Sequence, residues 1–186
     1  MNVYDFDKTV YDGDSTVDFY FYCLRKRPRI ILCIFRQAYG ALLHAAHRAD
    51  TKTMKEYFFS FLVKIDDADK LVEEFWRERR SRIKKWYMQK KDETDVIISA
   101  SPEFLLRPVC RMLGIAEPLA TRTDLRTGRI NGENCKGQEK VRRFFEKYPD
   151  GMIDCFYSDS RSDTPLADIA KEAFLVNGDR ISQWTR

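Results

Sequence analysis

Two carboxylates near the N-terminus, Asp5 and Asp7, are separated by a single residue, Phe6. They follow the short apolar run Asn2-Val3-Tyr4, a pattern that predicts a buried strand ending in a loop. Because side chains alternate along a strand, Asp5 and Asp7 would point the same way while Phe6 turns into the core. Two adjacent carboxylates repel each other unless a cation or a proton lies between them. A hard ion such as Mg²⁺ meets that need, and Asp5 could then attack phosphorus while Asp7 moves a proton.

A second polar group follows another apolar run. Ser99 comes directly after Val96-Ile97-Ile98 and shortly before Pro102, which opens a predicted helix over 103–113. The Ser99 hydroxyl and the nearby N–H groups of Ala100 and Ser101 could hold phosphoryl oxygens. A serine here could also cap the helix, since capping and anion binding use the same N–H groups.

A second acidic pair lies near the C-terminus. Asp159 follows the segment Phe156-Tyr157-Ser158 at the end of a predicted buried strand, and Asp163 lies four residues further on. Asp159 is the expected second carboxylate on Mg²⁺, with Asp163 holding a ligated water or a neighbouring ligand. Asp163 could instead be the N-cap of the helix that contains Pro165.

The order of the elements predicts an α/β fold. Strands and helices alternate outside residues 14–92, which indicates a parallel sheet covered by helices on both faces. Residues 14–92 show no strand-like alternation and predict a helical insertion. We therefore expect one α/β core formed by residues 1–13 and 93–186, with a separate helical domain between them. Ligands of such sheets bind beyond the carboxyl ends of the strands, where the acidic pairs and Ser99 fall.

Four segments of the chain, DFDKT, VIISAS, NCKGQEK and YSDSRSD, resemble the motifs of the haloacid dehalogenase superfamily, in the branch that contains phosphoserine phosphatases. The resemblance implies a Rossmann-like core and a helical cap over residues 14–92. It also implies a Mg²⁺-dependent phosphomonoester hydrolase that acts on a small phosphorylated metabolite through an aspartyl-phosphate. Asp5 would be the nucleophile, and Asp7 the acid and base whose main-chain carbonyl also binds the metal.

The resemblance leaves two candidates for the catalytic lysine. Phosphoserine phosphatases carry it just before a glycine, which favours Lys136, whereas related small phosphatases carry it in a G-x-x-K arrangement, which favours Lys140. One cation is needed to offset the charge of the phosphoryl group and of Asp5. Asp14 occupies roughly the place of an acidic residue that contacts the substrate amine in phosphoserine phosphatases, but it could simply cap the next helix.

Composition and segment lengths indicate whether the chain is ordered, whether its cysteines are reduced and whether it could span a membrane. The chain of 186 residues is 44% hydrophobic and 13% aromatic, which excludes a disordered chain. Five cysteines without a C-x-x-C spacing predict reduced, packed thiols, and the absence of a basic-then-apolar leader predicts a cytoplasmic protein. The longest apolar stretch, residues 30–46, is too short and too polar for an integral membrane segment.

The middle of the chain is basic, with 18 Lys and Arg against 11 Asp and Glu between Asp14 and Asp92. The pattern predicts one helix over 68–91 that carries eight cations and three aromatic residues: Arg77, Arg79, Arg80, Arg82, Lys84, Lys85, Lys90 and Lys91, with Trp76, Trp86 and Tyr87. Such a helix can be a solvated face with its aromatic residues packed inward. It could also recognise a polyanion or a phospholipid head group as substrate, whereas nucleic-acid binding is the weakest of these alternatives.

Two other classes of function use similar residues. A response-regulator-like module also combines aspartates, Mg²⁺, a hydroxyl and a lysine on an α/β sheet. It needs no second carboxylate two residues after the first, and no long helical insertion. A binding protein on an inactive phosphatase fold would not need Asp5, Asp7, Asp159 and Asp163 together.

Overall fold

The structure, a computed structural model, describes residues 1–185 and contains one six-stranded sheet in that range. The strands are β1 Val3–Tyr4, β2 Val96–Pro102, β3 Leu119–Thr121, β4 Cys155–Ser158, β5 Glu172–Asn177 and β6 Arg180–Gln183. Their spatial order is β3-β2-β1-β4-β5-β6, and only β6 runs antiparallel to its neighbour. The predicted α/β fold with a parallel sheet is confirmed, while the short edge strand β6 was not foreseen.

Eight α-helices surround or extend from this sheet in the described range. They are α1 Ser15–Lys26, α2 Ile34–Ala45, α3 Thr51–Phe58, α4 Ala68–Arg79, α5 Lys85–Lys90, α6 Glu103–Leu113, α7 Gln138–Lys147 and α8 Thr164–Ile169. The first five follow one another without an intervening strand, as expected of the insertion. Its division from the core as a separate domain remains a prediction. Within residues 1–185, no helix has both the length and the apolar character needed to cross a bilayer.

The register of the sheet brings three strand ends to one edge. Tyr4 of β1 lies opposite Ile97 of β2 on one side and Tyr157 of β4 on the other. The next residue, Asp5, continues the pairing, since its N–H donates to the Tyr157 carbonyl over 2.8 Å. The residues that follow β1, β2 and β4 therefore meet at the carboxyl edge, where ligands of parallel sheets bind.

Side chains alternate along the buried strands, so each strand places side chains on both faces of the sheet. Both faces are covered. Tyr4, Tyr157 and Phe174 stack across three neighbouring strands on one face, with ring centroids 4.8 and 4.9 Å apart. Val3 and Phe156 point to the other face, into a separate cluster formed with α7 and α8. Buried, stacked aromatic rings are worth about 0.5–1.5 kcal/mol each beyond their buried area. This row holds β1 in place although β1 is only two residues long.

The predicted single basic helix over 68–91 is wrong. Helix α4 ends at Arg79, a 3₁₀ turn covers Arg80–Arg82, and the chain is extended at Ile83 and Lys84 before α5 begins. Ile83 pairs with Tyr11 in an isolated bridge, and the Lys84 N–H donates to the Val10 carbonyl over 2.9 Å. These long-range bonds outweigh local helix propensity, which is worth less than about 1 kcal/mol per residue.

The cations of this segment consequently do not share one face. The Lys84 side chain is buried, and its ammonium group donates to the carbonyls of Lys8 and Gly178. It joins the loop after β1 to the turn between β5 and β6. The aromatic residues Trp76 and Tyr87 are buried, as the packed alternative predicted.

The apolar stretch over 30–46 begins within a 3₁₀ turn, Pro28–Cys33, and continues as α2. Helix α2 packs closely on α3, because Gly40 lies against Tyr57. A Cβ atom at Gly40 would lie 2.2 Å from the Tyr57 Cβ, so this approach requires glycine.

Candidate active site

A cavity of about 200 Å³ opens at the carboxyl edge of the sheet. The predicted site residues that line it are Asp5, Asp7, Asp14, Ser99, Ala100, Lys136, Lys140, Asp159 and Asp163. Of the predicted catalytic, phosphate-binding and metal-binding residues, only Ser101 is absent from this wall. Parallel strands, with their carboxyl ends in register, account for the convergence of residues far apart in sequence.

Lys140 lies between two carboxylates at the centre of the site. Its Nζ donates to Asp5 Oδ1 and to Asp163 Oδ2, each over 2.7 Å, and all three side chains are almost fully buried. Burial lowers the pKa of Lys140, but the charges of Asp5 and Asp163 outweigh burial and hold the pKa above its ordinary value. Burial likewise raises the pKa of Asp5, and the charge of Lys140 opposes that rise. The charged lysine thus favours the ionised form of Asp5.

Lys136 has a different environment. It lines the cavity from the loop before α7 but is exposed, whereas Lys140 lies one turn inside the helix and is buried. The choice between the two lysines could not be made from their spacing. The side-chain contacts favour Lys140, because Lys140 donates a hydrogen bond to Asp5 and the described structure shows no such bond from Lys136.

Asp7 is held by hydrogen bonds from two segments. Its Oδ1 accepts the Ser15 N–H at the start of α1 over 2.7 Å, and its Oδ2 accepts the Ser101 hydroxyl. Burial and then the negative charge of Asp14 raise the pKa of Asp7 to about 6, while the bonds from Ser101 and Ser15 oppose the rise. A carboxyl group with such a pKa can carry or release a proton near neutral pH.

Ser99 and Ser101, in the second half of β2, have different contacts. Ser99 is buried at the cavity wall with Ala100, and its hydroxyl accepts the Ser101 N–H over 3.2 Å. Ser101 lies behind Asp7, and its hydroxyl also bonds to Thr16. Neither serine caps α6, since Pro102 occupies the N-cap position without a side-chain cap bond. The capping alternative for these serines is therefore wrong, whereas phosphate binding stays a prediction.

The two carboxylates of the second acidic pair, Asp159 and Asp163, also have different contacts. Asp163 Oδ2 accepts the Ser158 hydroxyl over 2.8 Å in addition to Lys140, and its side chain does not cap α8. Asp159 lies at the cavity wall, and no side chain of residues 1–185 donates a hydrogen bond to its carboxylate. Burial raises the pKa of Asp159 above its ordinary value. Asp159 is thus a partly buried carboxylate that faces the cavity.

Asp14 caps α1. Its Oδ1 accepts the Val17 N–H over 3.0 Å. Helix capping was the alternative to substrate contact that its position in the sequence predicted. The same residue also lies at the cavity wall. Its negative charge therefore faces any ligand that enters, in addition to stabilising the helix N-terminus.

Lys55 of α3 is a cavity residue that the sequence analysis missed. Its Nζ donates to the Ala100 carbonyl over 2.8 Å and to Asn134 Oδ1 over 2.7 Å. Burial lowers the pKa of Lys55 to about 8, although the charges of Asp7 and Asp14 act in the opposite direction. In a segment with many lysines, nothing in the sequence marked this one. Only the packing of α3 against the end of β2 brings it to the site.

Comparison with known proteins gives one family. Residues 3–168 match the model of the haloacid dehalogenase-like hydrolases. Protein CicA of Caulobacter vibrioides is 30% identical over an alignment that spans 91% of this chain and 82% of CicA.

Two solved structures share the fold. A protein of unknown function from Bordetella pertussis superposes with a TM-score of 0.75 at 20% identity, over 93% of this chain and 87% of the other. A phosphoserine phosphohydrolase-like protein from Francisella tularensis gives a TM-score of 0.55 at 17% identity, over 93% and 86% of the two chains. At these identities, the likeness concerns the fold alone.

Proposed function

Since the chain belongs to the haloacid dehalogenase-like hydrolases, we propose that it is a Mg²⁺-dependent phosphomonoesterase that acts through an aspartyl-phosphate on a small phosphorylated metabolite. The observation that carries the proposal is the position of Lys140 between Asp5 and Asp163, at the wall of the cavity. A buried cation beside an ionised carboxylate keeps that carboxylate available as a nucleophile. It also offsets the negative charge of an incoming phosphate. The cavity volume of about 200 Å³ suits a small ester.

The residues at the site account for both half-reactions. An Asp5 carboxylate oxygen attacks phosphorus while the bond from phosphorus to the ester oxygen breaks, and protonated Asp7 gives its proton to the departing oxygen. Asp7, now ionised, then takes a proton from a water molecule that attacks phosphorus and releases inorganic phosphate from Asp5. General acid and base work of this kind contributes roughly 10²–10⁴-fold in rate. The hydrogen bonds from Ser15 and Ser101 orient Asp7 for both steps.

The types of residue at the cavity are ones that suit Mg²⁺. Asp5 and Asp159 line the cavity and would supply carboxylate oxygens, the main-chain carbonyl of Asp7 would be a third donor, and Asp163 would orient the surrounding groups. Mg²⁺ is usually bound by one or two carboxylates together with water and substrate phosphate, so it does not require a closed cage of side chains. When bound, it would offset charge on the phosphoryl oxygens. The Asp159 carboxylate, which is partly buried and without a side-chain donor among the described residues, suits such a cation.

The proposed activity is tested with an aryl phosphate as substrate. We expect continuous release of inorganic phosphate with Mg²⁺, loss of release with EDTA, and recovery when Mg²⁺ is restored in excess. A response-regulator-like module would instead give one phosphorylated protein per chain and no continuing release. Phosphate release that is indifferent to EDTA would contradict the metal requirement.

Lys55 is proposed to bind an anionic group of the substrate, because two of its three donors are used by Ala100 and Asn134 and its ammonium group lines the cavity. Below about pH 8 Lys55 is protonated and attracts the anion; above it the charge is lost. We therefore expect kcat/KM to fall as pH rises through about 8, since kcat/KM reports pKa values of the free enzyme. The measurement is the pH profile of kcat/KM for an anionic substrate.

Three variants separate this effect from other ionisations. Lys55→Arg keeps the charge and should remove the alkaline fall, whereas Lys55→Met should lower kcat/KM by on the order of 10–100-fold at neutral pH, the worth of one charged hydrogen bond. Lys52→Met is the matched control, because it removes the same charge one turn earlier in α3, at a residue that does not line the cavity. Its pH profile of kcat/KM should match that of the wild type. An unchanged alkaline fall in Lys55→Arg would rule out Lys55 as its source.

A further inference from the structure

Helix α2 is amphipathic, but its polar face packs on the protein and its apolar face points outward. A helix at the surface of a water-soluble domain has the opposite orientation. The inner face of α2 is held by polar and small residues: Gln37 donates to the Phe58 carbonyl over 2.9 Å and accepts from the Tyr20 hydroxyl, and Gly40 packs on Tyr57. Its outer face is apolar. The 3₁₀ turn before α2 extends this face, so that one stripe runs from Leu32 to Leu42.

The apolar stripe is strongly exposed. Phe35 is 81% exposed, Leu32 72% and Leu42 66%, and Tyr39 continues the same stripe. The spacing of these residues, three or four apart, places them on one side of the helix. A contiguous apolar patch of large side chains at the surface marks an interaction site more often than a chance arrangement does.

The charge around the stripe is of one sign. Residues 19–49 contain six Lys and Arg and no Asp or Glu. Arg25, Lys26 and Arg27 form ion pairs with carboxylates of α4 and the turn before it. Arg29, Arg36 and Arg48 are exposed, and none of them has an ion-pair partner among residues 1–185. They lie before, beside and after the apolar stripe, so the patch is rimmed by unpaired positive charge.

We propose that the stripe Leu32, Phe35, Tyr39 and Leu42, with Arg29, Arg36 and Arg48, docks this protein on the surface of an anionic lipid bilayer. A helix with apolar and aromatic side chains on one face and arginines at its rim lies in the plane of the interface, with the apolar face about 5–10 Å below the head groups. The arginines meet the anionic head groups, which attract cations near the membrane surface.

Self-association through the same face is disfavoured by the charge pattern. A two-fold interface would bring the same patch of both copies together. Arg29, Arg36 and Arg48 of each copy would then face those of the other, and residues 19–49 contain no carboxylate to compensate them. An anionic surface supplies the missing charge, and residues 19–49 of a second copy do not.

The experiment is co-sedimentation of the full chain with vesicles of phosphatidylcholine alone and of phosphatidylcholine mixed with phosphatidylglycerol. We expect binding to the mixed vesicles that weakens at high salt, and little binding to the neutral ones. Phe35→Ser/Leu42→Ser should lose at least tenfold in affinity, and Arg29→Gln/Arg36→Gln/Arg48→Gln on the order of 10–100-fold. These positions are exposed, so the variants should keep wild-type thermal unfolding.

Two controls match these variants. Met152→Ser removes an apolar side chain that is 67% exposed, close to the 66% of Leu42, and Arg77→Gln/Arg126→Gln/Lys147→Gln removes three exposed charges elsewhere. Both should bind mixed vesicles like the wild type. The proposal is overturned if the wild type does not bind them, if the stripe variants bind as well as the controls, or if the wild type is a dimer that Phe35→Ser/Leu42→Ser converts to a monomer. Binding is measured without turnover, so its failure is independent of the proposed phosphatase activity.

Discussion

The variant Asp5→Asn is expected to lose on the order of 10⁴–10⁶-fold in kcat with an aryl phosphate, the range seen when a member of a covalent catalytic unit is removed. Asparagine keeps the shape of the side chain but cannot form the aspartyl-phosphate. The fold should survive, because the amide oxygen of the new side chain can still accept the hydrogen bond from Lys140, and Asp163 would still pair with that lysine. The measurement is phosphate release at saturating substrate with Mg²⁺.

Asp12→Asn is the matched control for this result. Asp12 lies in the same loop but is exposed and absent from the cavity wall, so its variant should keep activity within a factor of about two. If Asp5→Asn retained turnover within tenfold of the wild type, Asp5 would not be the nucleophile. Rapid acid quenching gives an independent measurement, since a phosphorylated protein should form with the wild type and not with Asp5→Asn.

Lys140→Met is expected to have the second largest effect, on both activity and stability. Without the lysine, Asp5 and Asp163 stay buried with no cation between them, and removal of one partner of a buried ion pair costs about 3–5 kcal/mol in the free energy of unfolding. The pKa of Asp5 should rise further, which leaves less of the ionised nucleophile at neutral pH. Loss of the charge should also slow phosphoryl transfer by on the order of 10²–10³-fold. Urea unfolding in EDTA and steady-state kinetics with Mg²⁺ measure the two effects.

Lys136→Met provides the comparison, since it removes the same charge from an exposed position at the same cavity. Its free energy of unfolding should change by less than about 0.5 kcal/mol. The double variant Lys140→Met/Asp163→Asn should recover part of the stability without recovering activity, because one of the two unpaired carboxylates is neutralised. A larger loss of activity in Lys136→Met than in Lys140→Met would reverse the assignment of the two lysines.

Some features of the fold follow from local sequence because local interactions decide them. Helix α6 begins and ends as predicted, since Pro102 precedes its first turn and Gly114 ends it with a φ of 69°, a conformation that favours glycine. The positions of Asp5, Ser99 and Asp159 at the cavity were predictable for a similar reason. Each polar residue follows an apolar run, and parallel strands present such residues at one edge.

Other features depend on distant partners and were therefore missed. Ile83 looked helical, but it pairs with Tyr11, which lies far earlier in the chain. Strand β6 has no buried side chain and hence no alternating pattern, and it is a strand because β5 offers a free edge. Lys136 and Lys140 were equally acceptable candidates from sequence. Only the packing of α7 against the sheet shows that Lys140 is the buried one.

The sequence by itself determined the class of fold and the family, because apolar runs, caps and acidic pairs are local patterns whose order survives in the chain. The tertiary structure alone decided which lysine contacts Asp5, that Lys55 reaches the site, and that α2 turns its apolar face outward. Each of these depends on which side of a helix meets its neighbour. That choice is set by packing between segments far apart in sequence, such as Gly40 against Tyr57 and Lys55 against Ala100.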